Sequence, residues 1–161
     1  MIVVADTSPL NYIIQIGCES LLPELYTRVI VPAAVLAELG DPSAPSVVGQ
    51  WLSRIPEWID VRTTSSPPDT ALAALDPGEQ QAIQLAEEEH AELLLIDERK
   101  GRVEAMRRGL TTTGTLGVLL AAAERGSIDA AAAFRRLIAE TTFRSTPALQ
   151  RFFFATDPGS F

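Results

Sequence analysis

The chain has 161 residues, 47% of them hydrophobic and 21% charged, with a formal net charge of −8; these values suit a globular core and exclude a disordered polyelectrolyte. The single Cys18 excludes an intrachain disulfide, and the single His90 is too little for a histidine-built zinc centre. Overall acidity also argues against a plain nucleic-acid coat, since such domains are mostly basic.

Two short aliphatic runs each end on an aspartate. Ile2-Val3-Val4-Ala5 stops at Asp6, and Leu93-Leu94-Leu95-Ile96 stops at Asp97. Unbroken apolar runs of this length predict strands buried on both faces of a parallel sheet. Ligands of open α/β sheets bind at the carboxyl ends of such strands, so two strands are expected to deliver a carboxylate to one site.

Between these runs, Ser8-Pro9 predicts a helix start, with the helix covering Pro9 to Ile16. A second short helix is expected over roughly Ser20–Tyr26, then a strand at Val29–Val31 and a helix from Pro32 to Leu39, closed by Gly40. A loop with two prolines precedes a helix containing Trp51 and Leu52. Ile59–Val61 predicts a short edge strand and Thr63–Pro68 a loop. Asp76-Pro77-Gly78-Glu79 has the form of a capped helix start, and that helix is expected to run to about His90.

After Asp97 the pattern predicts a basic helix over Glu98–Arg108, ended by Gly109, and a last strand at Leu110–Thr112. Helices at Leu116–Arg125 and Asp129–Glu140 follow, Thr146-Pro147 is expected to start a short terminal one, and the helical tail covers about residues 143–161. The order predicts a three-layer α/β/α sandwich on a mainly parallel sheet of about five strands, one domain spanning 1–161. The longest apolar stretch, Leu116 to Ala123, is too short to cross a membrane, and no basic leader precedes the first strand, so a cytoplasmic protein is expected.

Candidate chemistry rests on acids. Asp6 and Asp97 end strands, while Glu38 and Glu79 fall in helical patterns; together they form a candidate all-oxygen cluster suited to Mg²⁺ or Mn²⁺. Each has a plainer alternative: Asp6 as a strand terminator, Glu38 as an exposed helix residue, and Glu79 as the back-bonding acid of the Asp76 cap. Residues 1–97 carry 3 basic and 15 acidic side chains, whereas residues 98–161 carry 10 and 6. Arg99, Lys100, Arg102, Arg107 and Arg108 open the basic part. They suit a phosphodiester beside a metal, or else a solvated helix face with local glutamate partners. There is no Walker lysine motif, no dinucleotide glycine fingerprint and no nucleophile elbow.

These residues resemble a known family. Asp6-Thr7-Ser8-Pro9-Leu10, a helix ending Ala37-Glu38-Leu39, Gly78-Glu79-Gln80-Gln81-Ala82-Ile83, Leu94-Leu95-Ile96-Asp97-Glu98-Arg99-Lys100-Gly101-Arg102 and the run from Gly109 to Leu120 look like PIN domains. These are metal-dependent nucleases that include VapC-type toxins of toxin–antitoxin pairs. The resemblance implies metal-ligand roles for Asp6, Glu38, Glu79 and Asp97. It also implies an RNA substrate guided by Arg99, Lys100 and Arg102, with Thr7, Ser8, Thr113 and Thr115 orienting the reacting groups. A small antitoxin partner and a homodimer are further implications, and the apolar Leu149, Phe152, Phe153 and Phe154 either fold back or pack on another chain. Many relatives place another acid just after the last strand, where this chain has Thr113-Gly114-Thr115. Alternatives are a PIN-like module that binds RNA or protein without turnover, and a DNA-directed nuclease. A phosphatase that phosphorylates its own aspartate would want an acid where Ser8 stands.

Overall fold

The computed structural model describes residues 1–155, so residues 156–161 of the expected tail lie outside the described part. Five parallel strands form one sheet in the order β3-β2-β1-β4-β5. They are β1 (Ile2–Ala5), β2 (Arg28–Pro32), β3 (Ile59–Arg62), β4 (Leu93–Leu95) and β5 (Thr112–Thr113). The chain first builds outward from β1 to β3, then returns through α5 to the other side of β1 to place β4. The point of reversal lies between β1 and β4, where Ala5 pairs with Leu95.

Strand residues alternate between two apolar layers, as the pleat requires. Val3, Ala5, Val29, Val31 and Leu95 face α1 (Thr7–Gln15), α2 (Leu21–Leu25), α3 (Ala33–Leu39) and α4 (Ser46–Leu52). Val4, Ile30, Leu94 and Ile96 face α5 (Pro77–Glu88) and α6 (Arg99–Arg107). A third cluster joins α7 (Thr115–Glu124), α8 (Ala130–Glu140) and α9 (Pro147–Phe154) to Ile16 and Leu21. At about 25 cal/mol per Å² of apolar area, covering both sheet faces dominates the stabilisation. No helix among the described residues is long and apolar enough to cross a membrane.

Two boundaries differ from the sequence expectation. The first helix starts at Thr7, with extended Asp6 as its N-cap, rather than at Ser8-Pro9. Pro9 then occupies the first turn, where its missing N–H has no helical partner to lose. The last strand is Thr112–Thr113 rather than Leu110–Thr112. Gly109 at φ +82° turns the chain back, and the Leu110 N–H closes onto the Ala105 carbonyl, so extended pairing begins only later. In the tail, the last helix starts at the expected Thr146-Pro147, with the Thr146 side chain accepting the Leu149 N–H. Phe153 is buried and stacks on Phe134 with centroids 4.3 Å apart, whereas Phe152 stays 64% exposed. The tail as far as Phe154 therefore folds back on its own domain.

Candidate active site

The parallel pairing of β1 with β4 sets the site. The Asp6 N–H donates to the Leu95 carbonyl at 2.9 Å, so the residues that end both strands emerge side by side at the carboxyl edge of the sheet. Helix N-termini converge on the same edge. Asp6 is the N-cap of α1, and Asp76 caps α5 by accepting the Glu79 N–H at 2.9 Å. Glu38 accepts the Gly78 N–H of the first turn of α5 at 2.8 Å and the Thr7 hydroxyl at 2.5 Å. Asp97 accepts the first N–H of α7 from Thr115, and the Thr115 hydroxyl as well. Each helix start contributes positive potential that offsets part of the repulsion among these acids.

Two of the carboxyls are nearly inaccessible. Asp6 is 3% exposed and Glu79 5%. Burial lifts the Asp6 pKa from 3.8 to about 7; the neighbouring Thr7 N–H offsets part of this, and the charges of Asp76, Glu38 and Asp97 add to it. Burial also raises Glu79 well above the usual carboxylate range, followed by a hydrogen bond with the Asp76 carboxyl and the charges of Asp76, Asp6 and Glu98. One oxygen of Asp6, Oδ1, is buried without any hydrogen-bond partner. An anion held in that condition is short of an electropositive neighbour.

Glycines let the backbone approach these acids. A Cβ on Gly78 would stand 2.6 Å from a Glu38 oxygen, and one on Gly114 would stand 2.5 Å from Asp97 Oδ1. A Cβ on Gly101 would sit 3.1 Å from Glu79 Oε2 and 2.6 Å from Ile96, which places Glu79 against the first turn of α6. Among the described residues, no three Asp, Glu, His or Cys side chains are placed so that together they could hold a metal ion. Asp97 and Glu38 border two different hollows, while Asp6 and Glu79 lie buried.

A groove of about 790 Å³ opens beside Asp97 and carries Ser8, Arg102, Thr113 and Arg144 on its walls, with Tyr12 and Phe143. A second hollow of about 350 Å³ lies on the Glu38 side, with Thr7 and Asn11, and Thr142 borders both. Arg102 thus reaches the groove. Arg99 and Lys100 instead line a separate hollow with Ala71, Ala74 and Leu75. Further along α6, Arg107 and Arg108 end on Glu104, and Arg108 also on Glu87 and Asp69, so that part of the basic run is a solvated face with local partners. Thr7 and the fully buried Thr115 are spent on Glu38 and Asp97, while Ser8 and Thr113 face the groove.

Several contributors had little sequence signal. Asp76 reads as a cap and is one, yet its charge also bears on Asp6 and Glu79. The Gly78 N–H, Tyr12, Thr142 and Phe143 join the site only through tertiary packing. His90 sits apart, exposed, at φ 50° just beyond α5.

Comparison with known proteins agrees with this architecture. A family model described as PIN domain matches residues 2–155. A solved PilT N-terminus domain protein from the hyperthermophilic archaeon Sulfolobus solfataricus P2 is similar in fold, with a TM-score of 0.51 at 15% identity, over 91% of this chain and 98% of that one. No curated protein matches. With the family model covering nearly the whole described chain, and the fold the same, the chain belongs to the PIN-domain family.

Proposed function

We propose that this single domain is a Mg²⁺- or Mn²⁺-dependent endoribonuclease, the toxin of a toxin–antitoxin pair, working in the cytoplasm as a homodimer restrained by a small antitoxin. The observation that carries the nuclease reading is the buried, partnerless Oδ1 of Asp6 beside Asp97, Glu38 and Glu79, with an arginine-lined groove next to them. The donor set fits a hard cation: every candidate ligand is a carboxylate oxygen, and one is unsatisfied. Mg²⁺ is commonly held by one or two carboxylates together with waters and substrate phosphate, so a complete protein cage is not required.

Asp6, Asp97, Glu38 and Glu79 are the residues that would hold the ion. When bound, it supplies a polarised phosphate and a more acidic water. The protein's own part is positioning. Thr115 fixes the rotamer of Asp97, and Thr7 with the Gly78 N–H fixes that of Glu38. Arg102 and Arg144 offer guanidinium groups to phosphate oxygens along the groove. Glu79, buried beside Asp76 and Asp6, would hold a second ion or position a water.

The test is cleavage of a structured RNA by the purified protein in Mg²⁺ and in Mn²⁺, with the matching DNA as a control. Asp97→Asn is expected to lower RNA cleavage by several orders of magnitude and to leave RNA affinity nearly unchanged. Equal cleavage of DNA favours the DNA-directed alternative, and a wild type that never cleaves removes the enzyme reading. A small antitoxin-like reading frame beside the gene supports the toxin role, and a 17.4 kDa monomer by light scattering removes the dimer.

One observation favours the non-hydrolytic reading. Residues 113–115 offer no acid, and both oxygens of Asp97 are already engaged by Thr115. A domain of this kind binds RNA in the groove without turnover.

A further inference from the structure

We propose that Tyr12 and Phe143 form a nucleobase-stacking subsite beside the carboxylates, taking one unpaired nucleotide of the RNA while Arg102 and Arg144 hold its flanking phosphates. The inference rests on the nuclease reading and names a subsite within the same groove.

The two rings meet edge to face, with centroids 5.4 Å apart and planes at 83°. In that arrangement the ring that presents its edge keeps both faces uncovered by its partner. Both rings pack on one side against the α7–α9 cluster and line the groove on the other, so each is only half-buried. Phe143 is also held in place before any ligand arrives. Its N–H donates to the Thr141 hydroxyl at 3.0 Å, and that hydroxyl donates to the Leu137 carbonyl at 2.5 Å. This turn fixes the segment after α8 and lowers the ordering cost of binding.

What sets Arg102 and Arg144 apart is their place: both line the groove that holds the aromatic pair, with Asp97 and Glu98 also on its wall. Arg28, Arg62, Arg107, Arg108 and Arg136 all end on carboxylates, and Arg102 and Arg144 have no ion pair among the described residues. Aromatic faces flanked by unpaired guanidinium groups match the alternation of bases and phosphates along a single strand. A duplex hides its base faces and has nothing to offer the rings.

The test is equilibrium binding of a short single-stranded RNA without divalent metal. An abasic nucleotide is placed at each position in turn, for wild type, Tyr12→Leu, Phe143→Leu and Phe143→Trp. In wild type, one position should show a loss of about 5- to 150-fold, the range of one base–aromatic stack. The leucine variants should bind the intact RNA correspondingly weakly and show no further loss at that position. Phe143→Trp, which keeps a stacking face, should retain both affinity and the position-specific loss. Binding that is indifferent to the abasic site at every position, or leucine variants that keep the full loss, would overturn the subsite and leave the nuclease reading standing. A wild type that binds no RNA overturns both. If a leucine variant fails to fold, the wild-type abasic scan and Phe143→Trp decide.

Discussion

Thr115 holds both oxygens of Asp97: its backbone N–H donates to Oδ1 and its hydroxyl to Oδ2, each at 2.7 Å. The carboxylate therefore has one orientation, set by the start of α7. Thr115→Val keeps the shape and removes the hydroxyl, freeing Oδ2. Partners that orient a ligand in this way are typically worth 10–100-fold in metal affinity or activity, so a loss of about that size is expected. Thr115→Ser should recover most of it. Titration calorimetry with Mn²⁺ and RNA cleavage are the measurements, and equal values for the valine and serine variants would dismiss the orienting role.

Asp6 should be the residue through which a cation stabilises the fold. Its carboxylate is buried, repelled by three neighbours and left with an unpartnered oxygen. Millimolar Mn²⁺ should raise the melting temperature of the wild type, because binding only to the folded state adds about 2.7 kcal/mol at a hundredfold excess over Kd. Asp6→Asn should melt no lower than wild type without metal, since the amide carries no charge to bury. It should also lose most of the Mn²⁺ response. The same rise in both proteins would count against a metal at Asp6.

Low pH should release the loop before α5. Glu88 accepts the Ser65 N–H and the Ser66 N–H, each at 3.0 Å, together with both serine hydroxyls, and these bonds hold its pKa at about 2, below the ordinary 4.5. A depressed folded-state pKa gives stability that is fully present above 4.5 and lost as pH falls through about 2. Glu88→Ala should therefore melt below wild type at pH 7, and the gap should narrow below pH 4.5 and close near pH 2. Amide exchange at Ser65 and Ser66 should quicken in parallel. A gap that is constant across this window would refute the assignment.

The groove arginines should separate from those on the far side of α6. Arg102→Ala and Arg144→Ala should each weaken RNA binding and flatten its salt dependence by about one unit of slope per lost phosphate contact. Arg99→Ala and Lys100→Ala, in the other hollow, should change the slope less. Single-turnover cleavage at saturating RNA should survive all four. An equal slope change for both pairs would mean that the RNA path follows the whole helix rather than the groove.

What the amino-acid order discloses here divides by range. Ile2–Ala5 and Leu93–Leu95 are legible as strands because a sheet covered on both faces demands unbroken aliphatic residues, and the acids that end them then follow by counting. The Asp76 cap is legible because its partner, Glu79, is three residues away. The early start of α1 is not, since Ser8-Pro9 is a good local signal that the position of Asp6 at the sheet edge overrides. The meeting of Tyr12 with Phe143, or of Glu38 with the Gly78 N–H, depends on how helices pack across the molecule. Neither partner carries any local mark of the other. The split of the basic helix into paired Arg107 and Arg108 and groove-facing Arg102 likewise depends on which neighbours supply carboxylates.

The reversal of strand order between β1 and β4 also governs when the candidate site is completed during synthesis. A chain leaving the ribosome can pair β1 with β2 and β2 with β3 while it still lacks Asp97, Thr115 and both groove arginines. Glu38 can then already reach Thr7 beside Asp6, but no second strand sets Asp97 next to Asp6. Only the late return of β4 to the side of β1 assembles the machinery. The carboxylate cluster is therefore incomplete through most of the chain's synthesis and closes only once β4 has emerged.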